Sequence, residues 1–493
     1  MKLIDKDLMS MQEVRELVES AKEAQRELAR MDQAQVDRIV RSIADAGVRN
    51  AKRLAQMAQE DTGFGVVSDK VVKNVFASRG VYEHIKDMKT IGEIERDDEK
   101  GLRKIAVPVG VIAGLIPSTN PTSTAFYKAE IAIKSGNAIV FSPHPTALRA
   151  IMETVKVIRQ AIAEAGANEN LVSCISIPTM EATSTLMHHR DIALILATGG
   201  SAMVKAAYSS GTPAIGVGPG NGPAYLEKTC DLPLAVKRIM DSETFDNGTI
   251  CASEQSIICD EDMAEAVQKE MERQGAYFLD EQEREQLGRF ILRANGTMNP
   301  EIVGKSVKTI ASLAHLDRVP EDARVLVAKE TGVGRGHPYS NEKLGPIMGF
   351  YTGTDYVDVC EKVCAILYYE GAGHTFSMHT RDDKMVDYFE KRVPASRIMV
   401  NTPSALGGIG ATTNLQPALT LGCGAVGGSA TSENVGPLQL LNYRYVAYGK
   451  RELEDIRASI PDCSEDICKP SVNLDEIDVD EIVKNVIARL RNY

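Results

Sequence analysis

The chain has 493 residues, 43% of them apolar and 25% charged, and a formal net charge of −12 with no segment dominated by lysine and arginine. That length holds roughly two to four domains with large cores. The missing basic surface argues against a nucleic-acid partner, because phosphate binding needs concentrated positive charge. No run of about 18 apolar residues occurs, so no membrane-spanning helix is expected.

The N-terminal stretch "MKLIDKDLMSMQEV" is acidic and amphipathic and lacks the apolar core of a secretory signal, so a cytoplasmic protein is expected. Nine cysteines are scattered along the chain. The closest pairs, Cys360 with Cys364 and Cys463 with Cys468, are not followed by a second pair at zinc-site spacing. A reducing compartment and no metal site are the expectation.

Residues 1–60 read as helices, with Val14, Leu17, Val18, Ala21 and Ala24 forming a stripe at helical spacing. Between 105 and 217, aliphatic runs alternate with amphipathic segments. The runs are "VGVIAGLI", "NAIVFS", "LVSCISI", "IALILATGG" and "TPAIGVG". The clearest helix is "TALRAIMETVKVIRQAIAEAG". Continuous apolar runs separated by such helices predict a parallel sheet covered on both faces, a doubly wound α/β domain of nucleotide-binding type.

A second alternation runs from about 229 to 430, with strand-like "EQSIICD", "VLVAKE", "PIMGFYTG" and "RIMVN". A glycine- and serine-rich passage then leads to a final strand-like "NYRYVAYGK". The resulting division is 1–228 for a dinucleotide-binding domain, 229–430 for a catalytic domain and 431–455 for a C-terminal strand. A polar linker, 456–476, precedes an amphipathic helix within 477–493, where acids open the helix and arginines close it in the sense the macrodipole favours.

Three stretches carry chemistry. In "ALILATGGSAMVKAA" a strand runs into Thr198, Gly199 and Gly200 and a helix opens at Ser201, leaving free amides for a phosphate; a tight turn without ligand fits the same residues. In "LIPSTNPTSTAFYKAE", Asn120 sits at a strand's carboxyl edge, where it can donate to an oxyanion or stabilise its own turn. Cys251, in "DNGTICASEQS", stands among small polar residues, a setting for a nucleophilic thiolate or for a small structural side chain.

Six segments in order resemble the CoA-acylating aldehyde dehydrogenases, including the N-terminal half of bifunctional aldehyde–alcohol dehydrogenases. They are "PSTNPTSTAFYKAEIAIKSGNAIVFSPHP", "TGGSAMV", "GVGPGNGPAYLE", "FDNGTICASEQS", "EKLGPIMGFY" and "GGSATSENVGPLQLLNYRYVAYGKRE". The resemblance covers roughly 1–455 and implies an aldehyde dehydrogenase-like fold, with oligomerisation strands near 90–108 and at the C-terminal strand. It implies Cys251 as nucleophile and Asn120 as oxyanion donor. It places Thr198, Gly199 and Gly200 under a cofactor pyrophosphate, Glu342 on a ribose, and His144 and Pro145 near the adenosine end. Hydrolytic members carry a general-base glutamate where this chain has Val217, so an external thiol becomes the acceptor of the acyl group.

The expected reaction is oxidation of a small aldehyde, acetaldehyde or propanal, to its acyl-CoA through a thioester on Cys251. NAD is the default acceptor, with NADP not excluded. His374, in "GAGHTFSMHT", offers either a base for coenzyme A deprotonation or a hydrogen-bonded structural histidine; the structural reading is taken and it stays outside the catalytic set. A homodimer or homotetramer is expected. The terminal helix resembles encapsulation peptides and implies a bacterial-microcompartment shell protein as partner. The competing readings are a hydrolytic dehydrogenase, a cofactor-free acyltransferase and an idle scaffold.

Overall fold

The helix Lys6–Leu28 turns its Val14, Val18, Ala21 and Ala24 stripe into the core, and the Asp5 carboxylate caps its first amides. The next helix, Gln33–Thr62, starts with a reciprocal capping box between Asp32 and Gln35 and ends at Gly63, whose φ of 64° lets the chain leave. These features belong to a computed structural model, which describes residues 5–459 and 478–490.

The chain divides into a large unit, Met1–Ile94 with Ala106–Tyr443, and a small one, Glu95–Ile105 with Arg444–Tyr493. Fifteen strands form three sheets among the described residues. Strands β1 (Gly92–Asp97) and β2 (Leu102–Pro108) join β15 (Leu441–Ala447) in a three-stranded sheet, in the order β1-β2-β15.

The first large sheet holds β3 (Val111–Ile116), β4 (Ala138–Pro143), β5 (Val172–Cys174), β6 (Ile192–Thr198) and β7 (Ala214–Val217). They lie in the order β5-β4-β3-β6-β7 and every pair is parallel. β3 and β4 are buried along their whole length, as a parallel sheet sandwiched by helices requires. Helices Pro121–Lys134 and Leu148–Glu164 pack here with the two N-terminal helices in one continuous core.

The second large sheet runs β10-β11-β12-β9-β8-β13-β14, again wholly parallel. Its strands are β8 (Gly222–Leu226), β9 (Glu254–Asp260), β10 (Ala276–Phe278), β11 (Val325–Lys329), β12 (Ile347–Gly353), β13 (Gly373–His379) and β14 (Ala395–Val400). Separate apolar clusters fill its two faces.

Two predicted boundaries move. β8 pairs with β9 and β13, so the first sheet's part of the chain closes at β7 and not at 228. Gly222–Leu226 leaves the glycine loop as a buried strand because both its neighbours offer free ladder groups. A helix, Leu453–Ala458, enters the range assigned to the linker, started by Glu452 pairing with Asp455. The remaining linker, 460–476, lies outside the described residues. The terminal helix forms over Val479–Leu490, and its six aliphatic side chains are 46–71% exposed.

Candidate active site

The first large sheet begins at β3, moves outward to β5, then returns to place β6 on the other side of β3. The carboxyl ends of β3 and β6 therefore bracket a topological switch point, where open α/β sheets bind ligands. Asn120 N-caps the helix after β3, and Thr198 ends β6. Gly200 N-caps Ser201–Ser209 without a side-chain cap bond, and a Cβ there would meet nothing within 4 Å. Those uncapped amides facing open space fit a pyrophosphate, so Thr198–Gly200 can hold the dinucleotide the sequence implies. His144 and Pro145 follow β4 on the same edge and are exposed.

Cys251 arrives by another route. The helix Leu232–Thr244 gives way to a tight turn in which Asp246 and Asn247 take left-handed φ values of 50° and 52°. Ile250 and Ala252 are anchored in the core and leave Cys251 half-buried between them. Gly220 presses its backbone against this residue; a Cβ on Gly220 would lie 1.6 Å from the Cys251 carbonyl oxygen.

The sulfur meets a histidine that the sequence reading left out. His374 Nε2 lies 3.2 Å from Cys251 Sγ, and its Nδ1 is 2.8 Å from Thr375 Oγ1. Burial, aided by the Arg397 charge, holds the imidazole well below its usual pKa. Burial pushes the Cys251 thiol up to about 12, with the Glu342 charge adding to it and Arg397 opposing. Thiol and imidazole are thus both neutral near pH 7. In the tautomer with its proton on Nδ1, His374 aims a lone pair at the S–H.

Arg397 steadies this corner from β14. Its guanidinium donates to the carbonyls of His374, Gly422 and Ser432, to Thr375 Oγ1 and to Asn434 Oδ1, none of them a carboxylate. A lone arginine in a strand carries no motif, so no sequence signal marked it. His374 did stand in a quoted stretch, but a histidine on a buried strand is usually a packed residue.

Glu342 Oε1 accepts from the Gly220 amide at 2.7 Å, and burial raises its carboxyl to about 8. It therefore borders the same glycine loop that packs on Cys251. Asn120 completes the site: its Nδ2 donates to Thr249 O at 3.1 Å, two residues before the cysteine. Cys251, Asn120 and Glu342 converge, with His374 added. Among the described residues no three His, Cys, Asp or Glu side chains are grouped to hold a metal.

Known proteins place the chain. The family model described as "Aldehyde dehydrogenase family" matches residues 3–293. The bifunctional aldehyde-alcohol dehydrogenase of Escherichia coli K12 is 45% identical over 440 residues, covering 88% of this chain and 49% of that protein. The chain thus spans about half the length of that relative. A structure from Listeria monocytogenes EGD-e, described as a "probable aldehyde dehydrogenase", is 62% identical with a TM-score of 0.91, covering 92% of this chain and 100% of that one. An acetylating aldehyde dehydrogenase from Geobacillus thermoglucosidasius is 50% identical with a TM-score of 0.90, covering 92% and 99%. The chain belongs to the aldehyde dehydrogenase family.

Proposed function

We propose that this protein oxidises a short-chain aldehyde and passes the acyl group to coenzyme A through a thioester on Cys251. The observation that carries the reading is the 3.2 Å contact between the Cys251 sulfur and a neutral His374, beside the Asn120 amide. His374 takes the thiol proton as the sulfur adds to the aldehyde carbon. Asn120 Nδ2 and the Cys251 backbone amide stabilise the oxyanion; losing one such donor costs about 3–4 kcal/mol. Thr198, Gly199, Gly200 and Glu342 would hold a nicotinamide dinucleotide, with His144 and Pro145 as further binding residues, and that group would supply the hydride acceptor. Once His374 has released the Cys251 proton to solvent, the thioester is open to the coenzyme A thiol, whose proton His374 accepts and returns to the departing Cys251 sulfur.

Val217 supports the thiol acceptor over water. It ends β7 as a buried aliphatic residue, and no carboxylate stands there to activate water. The relative from Geobacillus described as an acetylating aldehyde dehydrogenase points the same way. The substrate we assign is a small neutral aldehyde, acetaldehyde before propanal. The strands β1, β2 and β15 are the surfaces assigned to a homodimer or homotetramer, and the exposed stripe of Val479–Leu490 to a microcompartment shell protein.

The deciding assay follows NADH or NADPH formation from acetaldehyde and from propanal, with and without coenzyme A. Steady turnover that requires coenzyme A and yields acyl-CoA supports the proposal. Steady turnover to the free acid without coenzyme A would overturn it.

A further inference from the structure

The ammonium of Lys73 has three N–H bonds and finds three acceptors. Its Nζ lies 2.6 Å from Asn120 Oδ1, 2.6 Å from Asp246 Oδ2 and 2.8 Å from Thr249 Oγ1. The side chain is buried at 2% exposure, at the C-terminal end of Val67–Val75, and its ammonium stands 5.7 Å from the centre of the Phe245 ring. Asp246 holds it there: the same Oδ2 accepts from Lys70 at 2.9 Å and from Thr249 Oγ1 at 2.8 Å, while Oδ1 accepts from the Val66 amide. These bonds sustain the left-handed backbone of Asp246, which a non-glycine residue adopts only against strain.

An ammonium can only donate. The Asn120 atom facing it is therefore the carbonyl oxygen, and the NH2 group must point the other way, toward Thr249 O and the cysteine turn. With the amide rotated by half a turn, N–H would face ammonium and the carbonyl oxygen would face any developing oxyanion, which is repulsive at both ends. The positive charge on Oδ1 also draws electrons from the amide and strengthens its N–H as a donor.

Building on the reading of Asn120 as oxyanion donor, we propose that Lys73 is a positioning residue for the acylation step. It locks the Asn120 amide with its donors toward the Cys251 carbonyl-addition site and polarises them. Lys73 itself does not touch the aldehyde.

The test compares the pre-steady-state rate of NAD(P)H formation, which reports acylation of Cys251, in the full-length protein and in Lys73→Met, Lys73→Gln, Asn120→Ala and the Lys73→Met/Asn120→Ala double variant. Lys73→Met is expected to slow acylation on the order of 10²-fold, with the aldehyde KM within about twofold of wild type because ground-state binding is untouched. The double variant is expected to be no slower than Asn120→Ala alone, since Lys73 acts through that amide. Lys73→Gln retains a neutral donor for Oδ1 without the charge and should slow acylation by about tenfold, between wild type and Lys73→Met. It also serves as the comparison if the methionine variant fails to show a wild-type-like melting transition.

A Lys73→Met or Lys73→Gln rate within about threefold of wild type would overturn the proposal, as would a double variant losing the product of the two single effects. In both cases a slow Asn120→Ala would leave the oxyanion reading standing. A fast Asn120→Ala would remove that reading and this inference together.

Discussion

His374 and Cys251 sit side by side with Nε2 and Sγ 3.2 Å apart, both neutral at rest because burial opposes charge on each. In the reaction we propose, proton transfer between them creates the nucleophile. Replacing His374 with Asn should slow acylation by roughly 10²–10⁴-fold, the range lost with a general base. A rapid-mix measurement of NAD(P)H formation checks this, and an unchanged rate would return His374 to a structural role.

Glu342 exerts the second influence on the thiol, after burial. At pH 9 its carboxyl, raised to about 8, is ionised and disfavours the thiolate. Glu342→Gln removes that charge, so the thiol pKa should fall and iodoacetamide should label Cys251 roughly threefold faster at pH 9. At pH 6, where the native carboxyl is protonated, the two proteins should label alike. Peptide mass spectrometry of the segment around Cys251 reads the difference.

Gly220 tolerates no side chain, because its Cβ would lie 1.6 Å from the Cys251 carbonyl oxygen. Gly220→Ala must push the cysteine turn aside. Overpacking of this kind costs about 1–3 kcal/mol, and a displacement near 1 Å at the sulfur costs about 10²-fold in rate. A lower Tm together with slowed acylation is expected; a Tm and rate equal to wild type would contradict the packing described.

Glu254 opens β9 with one oxygen bonded to the Ser404 amide, and burial raises its pKa from 4.5 to about 8. Its folded pKa lies above its unfolded one, so its contribution to stability is full below pH 4.5 and is lost as pH rises through about 8. The loss amounts to roughly 1.4 kcal/mol per pH unit between the two values. Glu254→Gln has no proton to lose, so its Tm relative to wild type should climb between pH 5 and 8. Parallel Tm curves over that window would show that the carboxyl does not titrate there.

The aliphatic strands of the first sheet were readable because a run such as "IALILAT" is buried on both faces and needs no alternation. β8 and β13 escaped for the opposite reason. "GPAYL" begins with glycine and proline, and "GHTFSMH" mixes histidines with hydroxyls, yet every residue of both strands is buried. His374 and Ser377 there find partners far along the chain, Cys251 and Pro223, which local patterning does not register. Cys251, Asn120 and Glu342 were legible through motifs, but Lys73 was not. A lysine on a short helix normally marks a solvated face; here its acceptor Asp246 lies 173 residues away. His374 likewise gains meaning only from a sulfur 123 residues away.

The helix Val479–Leu490 spans 12 residues and leaves every one of them exposed. Segments that short seldom hold their coil alone in water, since the first turn costs more than later turns return. Whatever surface shelters the aliphatic side must also supply the ordering free energy, so capture and coiling become one event. Attachment of the kind proposed for this segment would be intrinsically reversible, its strength tuned by helix propensity at solvent-facing positions without altering a single contact.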